Sequence, residues 1–131
     1  MKTKNIHQTI ILKASSKEVY HALMNSRLHS KITGSKAVIA TKVGGTFSIW
    51  EGGVNGINLA LEPDKRIVQA WRTEEWPKGH YSVADFSLAK KRRGTELVLD
   101  HYGIPVEDYK NIAANWETCY WIPLRKMFED R

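Results

Sequence analysis

Apolar and polar positions change their period twice along this chain, and the changes divide it into three parts. In the first part Ile6, Ile10 and Leu12 fall on one side of an extended segment, which predicts a strand over 6–12. Ser15, followed three residues later by Glu18, is the pattern of a capping box opening a short helix. Within it Val19 and Leu23, and Tyr20 and Met24, lie one turn apart. A second short helical turn over 27–32 ends at Gly34.

From Ser35 to Tyr102 the period is two. Phe47 and Ile49 alternate with polar neighbours; Ile57, Leu59 and Leu61 alternate with Asn58 and Ala60; residues 67–72 form a further strand. Phe86 and Leu88 alternate across another, and Leu97 and Leu99 across the last. Gly44-Gly45, Gly52-Gly53, Pro63-Asp64, the stretch 77–79 and the basic run 90–94 separate them. Closely spaced turn signals with no intervening helix predict an antiparallel meander. In the third part Ile112, Trp116, Cys119, Tyr120, Pro123, Leu124, Met127 and Phe128 repeat at helical spacing. One amphipathic helix of about six turns over 107–129, bent near Pro123, accounts for them. The expected fold is α+β: a curved antiparallel sheet of about six or seven strands, two short helices after the first strand, and a long C-terminal helix across the concave face.

Size permits this without help. One domain over residues 1–131 buries roughly two thirds of the surface its unfolded chain exposes, so the core needs no disulfide or metal. Cys119 is the only cysteine, which excludes an internal disulfide and a cysteine-based zinc site. No apolar run approaches the length of a membrane span. The polar start, 1–8, lacks the apolar centre of a signal peptide, and the expected compartment is the cytoplasm.

Charge is unevenly distributed. The net charge is +6, yet residues 1–50 carry +7 and the remainder −1. Such a basic region steers association with acidic partners. Nucleic acid is disfavoured, because no helix-turn-helix, zinc finger or RNP-type aromatic motif accompanies the lysines. Lys36, Lys42, Arg92 and Arg93 are the candidate protein-docking residues.

The order of elements resembles the helix-grip fold of the START and birch-pollen-allergen superfamily. The closer resemblance is to the heat-shock protein 90 ATPase activator homologue family, C-terminal-domain type. It is carried by residues 19–23 on the first helix, Gly44-Gly45-Thr46-Phe47, Asn55-Gly56, the stretches 67–72 and 76–82, Gly94-Thr95-Glu96-Leu97, His101 with Gly103-Ile104-Pro105, and Trp116 with Tyr120-Trp121 and Phe128. The resemblance covers nearly the whole chain and implies a heat-shock-protein-90-type chaperone as partner. Two departures accompany it. By the resemblance, the chain is expected to begin at the equivalent of the C-terminal domain's first strand, without the activators' N-terminal domain. Asn115 also stands where the family has glycine before the tryptophan.

Candidate chemistry lies in the aromatic residues. Trp71 on a strand and Trp116 on the closing helix are natural walls of a cavity between helix and sheet. Tyr120, Cys119, Leu97, Leu99 and Met127 complete the expected wall of a site for a small apolar or aromatic molecule, a few hundred Å³ in volume by the usual size of ligand pockets. Pro123 leaves the Cys119 carbonyl without its helical donor. His80 and His101 have acids nearby in sequence, but no metalloprotease pattern or nucleophile elbow accompanies them. Asp100 and His101, adjacent on a strand, face opposite sides. The glycine pairs are turns and not phosphate loops. No catalytic residue, metal or cofactor is expected. The preferred reading is a non-catalytic ligand-binding domain. A chaperone accessory protein and a cyclase or hydrolase are the alternatives, which fold alone does not separate.

Overall fold

A computed structural model describes residues 1–129. Strand β1 (Thr3–Leu12) leads into α1 (Ser16–Met24) and α2 (Ser26–Thr33). Then come β2 (Ala37–Ile39), β3 (Thr46–Ile49), β4 (Val54–Glu62), β5 (Arg66–Thr73), β6 (Ser82–Lys91) and β7 (Gly94–Pro105). A 3₁₀ turn, Val106–Asp108, opens the closing helix, which runs as α3 (Tyr109–Trp116), a π turn (Glu117–Trp121) and α4 (Ile122–Glu129). The seven strands form one antiparallel sheet in the order β1-β7-β6-β5-β4-β3-β2. This is the α+β architecture expected from the pattern, and the helix-grip fold that the resemblance implies.

The sequence signals act locally as read. Ser15 accepts from the Glu18 N–H while Glu18 Oε1 accepts from the Ser15 N–H, closing the capping box. Asn25 ends α1 and caps α2 through its side chain, and Gly34 ends α2 in the left-handed conformation. On the inner face of the sheet Ile6, Ile10, Leu12, Phe47, Ile49, Ile67, Trp71, Phe86, Leu97 and Leu99 are buried. From the helices come Val19, Leu23, Ile32, Ile112, Trp116, Tyr120, Trp121, Leu124 and Phe128.

Strand β4 departs from its apparent alternation. Ile57 and Leu59 are 39% and 48% exposed on the outer face, whereas Asn58 is 1% exposed and faces inward. A bulge between Asn58 and Ala60 shifts the register. The inward Asn58 is satisfied: its Nδ2 donates to the carbonyls of Ala40 and Lys42, and its Oδ1 accepts from Gln69 Nε2. It thereby ties the β2–β3 loop to the sheet, a buried polar anchor in place of an apolar one. Outward, Ile57 continues into a cross-strand row with Ala70, Val83 and Tyr102. Gly56, also inward, is required by packing, since a Cβ there would collide with the Ala70 carbonyl and the Phe47 ring.

The long helix is interrupted by a π turn just before Pro123. In an unbroken α-helix Trp121 would point about 140° away from Trp116. The π turn, closed by the Ile122 N–H to the Glu117 carbonyl, widens the helix and brings both indoles onto the core. Trp116 and Trp121 stack with centroids 5.6 Å apart and ring planes 18° from parallel. Pro123 follows directly, in the first turn of α4, where a missing N–H is tolerated.

Candidate functional site

The concave face and the closing helix meet in an aromatic cluster. Trp116 lies against Trp71 (5.9 Å between centroids), Phe86 (5.6 Å) and Tyr120 (4.7 Å). Trp50 meets Tyr120 edge-on from the β3–β4 turn. Trp50 and Glu51 both adopt left-handed backbone angles, φ 53° and 54°, an arrangement that costs of order 1 kcal/mol per residue. The turn is thus held in a form that places a half-buried indole at the mouth of the helix–sheet interface.

The space left between these rings is small. A void of about 40 Å³ is lined by Trp50, Val54, Trp71, Ile112, Asn115, Trp116 and Tyr120. That is room for a water molecule or two, far below the roughly 300 Å³ at which small-molecule pockets begin. Of the seven residues expected to wall a cavity, the void brings together Trp71, Trp116 and Tyr120. Leu97 and Leu99 are fully buried in the core of β7 and do not line it. Cys119 is half-buried on the π turn, its Sγ 3.7 Å from Thr118 Oγ1. Met127 sits on another side of the helix, in a depression shared with Leu28, Ile32 and Pro123. The expected volume of a few hundred Å³ is not present, because Trp50, Trp71, Trp116, Trp121 and Tyr120 pack against one another in stacked, tilted and edge-on pairs and fill the grip.

Buried polar groups in the cluster are paired in two chains. Trp116 Nε1–H donates to His101 Nδ1 at 3.1 Å. That fixes the proton on His101 Nε2, which donates to Ser82 Oγ at 2.7 Å, and Ser82 in turn donates to the Trp71 carbonyl at 2.8 Å. Burial pushes the His101 imidazole down to about 3. With both nitrogens committed and no charge, His101 is a structural link and not a general base. In the second chain His29 Nδ1–H donates to the Leu23 carbonyl at 2.7 Å, and Tyr120 O–H donates to His29 Nε2 at 2.8 Å. Burial lowers the His29 imidazole, opposed by its bond to Leu23, and raises the Tyr120 phenol. Asp100 points outward and meets His7 at 2.6 Å, on the face opposite to His101. His80 holds the Gly103 carbonyl at 2.8 Å.

Sequence reasoning did not single out Trp50, Val54, Ile112 and Asn115 as void-lining, nor His29 and Ser82 as partners of the aromatic residues. Neither histidine–aromatic pairing has a local signal, since the partners are 91 and 15 residues apart. The four docking candidates are all exposed but do not form one patch. Lys36 precedes β2 at one edge, Lys42 is in the β2–β3 loop, and Arg92 and Arg93 are the tip of the β6–β7 hairpin. No helix among the described residues is long and apolar enough to cross a membrane.

Similarity to known proteins follows the same outline. The chain is 29% identical over 114 residues to the human activator of 90 kDa heat shock protein ATPase homolog 1, covering 87% of this chain and 34% of that protein. It is 26% identical over 127 residues to the mouse homolog 2, covering 97% and 38%. The chain thus spans about a third of the length of these curated relatives. The crystal structure of an HSP90 activator from Plasmodium falciparum superposes with a TM-score of 0.90 at 20% identity, covering 94% of each chain, a likeness of fold. Residues 13–129 match the family model described as "Activator of Hsp90 ATPase homolog 1-like protein", and the chain belongs to that family.

Proposed function

We propose that this chain is a non-catalytic protein-docking domain that engages a heat-shock-protein-90-type chaperone through its basic surface and raises its ATPase rate. The observation that carries the reading is the filled interior. A void of about 40 Å³ leaves no room for an apolar or aromatic ligand of ordinary size, so function falls to the surface. Its class of partner rests on the likeness to the activators, of which the chain corresponds to about a third. The neutral, doubly bonded His101 weighs against the cyclase or hydrolase alternative.

The test is the steady-state ATPase rate of such a chaperone titrated with this protein. Stimulation that falls steeply with salt is expected, because exposed charges are screened beyond about 8 Å at physiological ionic strength. A rate unchanged by a large excess of the protein would remove the reading. Native mass spectrometry tests the ligand-binding alternative independently: a stoichiometric co-purified small molecule would restore it.

A further inference from the structure

At the end of the sheet opposite Trp50, three separate chain segments converge. They are the start of α1 (Ser15, Ser16, Lys17), the β4–β5 turn (Asp64, Lys65) and the β6–β7 hairpin (Leu88, Lys90, Lys91, Arg92, Gly94). Between them lies an open groove of about 710 Å³. We propose that this groove binds an acidic stretch of polypeptide in extended conformation.

The frame is built and not a chance gap between loops. Leu88 N–H donates to the Lys65 carbonyl at 2.8 Å, joining the hairpin to the β4–β5 turn. Thr95 Oγ1–H donates to the Ala14 carbonyl at 2.8 Å and lies 3.2 Å from Ser16 Oγ, joining the hairpin to α1. Gly94, at φ 147°, lets the hairpin backbone press against the Leu12 carbonyl, where any Cβ would collide.

The charge is one-sided. Five cations line the groove against one carboxylate, Asp64. Lys91 has Glu96 at 3.8 Å, but Lys17, Lys65, Lys90 and Arg92 form no ion pair among the described residues. Unneutralised like charges crowded around a fixed concavity cost the folded domain stability, and an anionic chain lying there removes that cost. The shape then selects the anion. A second depression, about 350 Å³, shares Lys17 and Asp64 and runs along α1 to Thr41, beside Lys42, so the trough is elongated. No Trp, Tyr or Phe lines the groove itself, and Tyr20 in the adjoining depression is a single ring where a run of nucleobases needs successive stacking surfaces. Its apolar floor, Ala14 and Leu88, is recessed and buried, so nothing inserts into a bilayer. Lysines around such a floor, each an aliphatic stem with an ammonium head, suit a peptide backbone carrying Asp and Glu side chains.

That the acidic stretch belongs to a chaperone rests on the docking reading; the chemistry of the groove does not. The experiment uses a fluorescein-labelled decapeptide of alternating Asp and Glu, titrated into the full chain at low salt. Oligothymidylate and phosphatidylserine vesicles serve as the other anions. Peptide binding should weaken about tenfold in Lys65→Glu/Arg92→Glu, and amide shifts on binding should map to Lys17, Lys65 and 90–94. Lys78→Glu/Lys110→Glu makes the same change of net charge at exposed positions outside the groove and should bind as the wild type does. Equal weakening in both double variants, or tighter binding of the oligonucleotide or the vesicles than of the peptide, would overturn the proposal. The wild-type chaperone ATPase assay separates the two readings: peptide binding lost only in the groove variant upholds the groove even where the chaperone is not stimulated.

Discussion

Trp116 is tied to Trp71, Phe86, His101, Tyr120 and Trp121 by ring contacts and to His101 also by a hydrogen bond, so its loss is felt both as a cavity and as an unpaired imidazole nitrogen. Replacing it by Ala is expected to cost about 3–5 kcal/mol, measured as the shift in urea unfolding free energy. A loss below about 1 kcal/mol would contradict its burial. The two buried histidines set a pH dependence. At neutral pH and above, His101 is uncharged whether the chain is folded or not, and its contribution is flat. Below the ordinary value of 6.5 the unfolded chain takes up a proton that the folded one refuses until about pH 3. Stability therefore falls as pH drops through that window, by about 1.4 kcal/mol per unit for such a group, with His29 acting in the same direction. Urea unfolding at a series of pH values should show this slope, and His101→Gln should flatten it. An unchanged slope in that variant would mean that other groups carry it.

Among the elements, the closing helix poses the question whether proline or packing sets the π turn. If the π turn is held by burial of Trp116, Tyr120 and Trp121, Pro123 in the turn that follows is a tolerated residue. Pro123→Ala should then change stability by less than about 1 kcal/mol, against the roughly 3 kcal/mol that a proline costs in a helix interior. A gain near the larger figure would assign the π turn to the proline. The spacing of Ile112, Trp116 and Tyr120 made this helix legible, because four-residue steps survive any surroundings. Its π turn was not legible. An insertion in the helical ladder is chosen by which rings reach the core, and Trp121 reaches Gln8 Oε1 on β1 at 2.6 Å, 113 residues away. Strand β4 shows the same limit: Ile57, Leu59 and Leu61 read as one face, but Asn58 keeps the inward step of Val54 and Gly56, Ile57 and Leu59 lie outside, and the bulge after Asn58 breaks the alternation before Leu61.

Across the molecule the helix supplies one whole side of the core, so the sheet is not stable without it. Truncation after Gly103 is expected to abolish cooperative thermal unfolding followed by near-UV circular dichroism, since the Trp116, Tyr120 and Trp121 side chains leave together. A cooperative transition in the truncated chain would contradict this. What the sequence by itself determined is the order and type of elements, the caps of the short helices, the uneven charge and the aromatic identity of the helix–sheet contact. These follow from short-range periodicity and residue chemistry. Tertiary structure alone decided that the aromatic residues close the grip to about 40 Å³, because volume depends on how rings from distant segments interlock. It also decided that lysines from α1, the β4–β5 turn and the hairpin share one groove, while Lys36 does not. Charge adds along a sequence, but a binding surface forms only where separate segments meet in space.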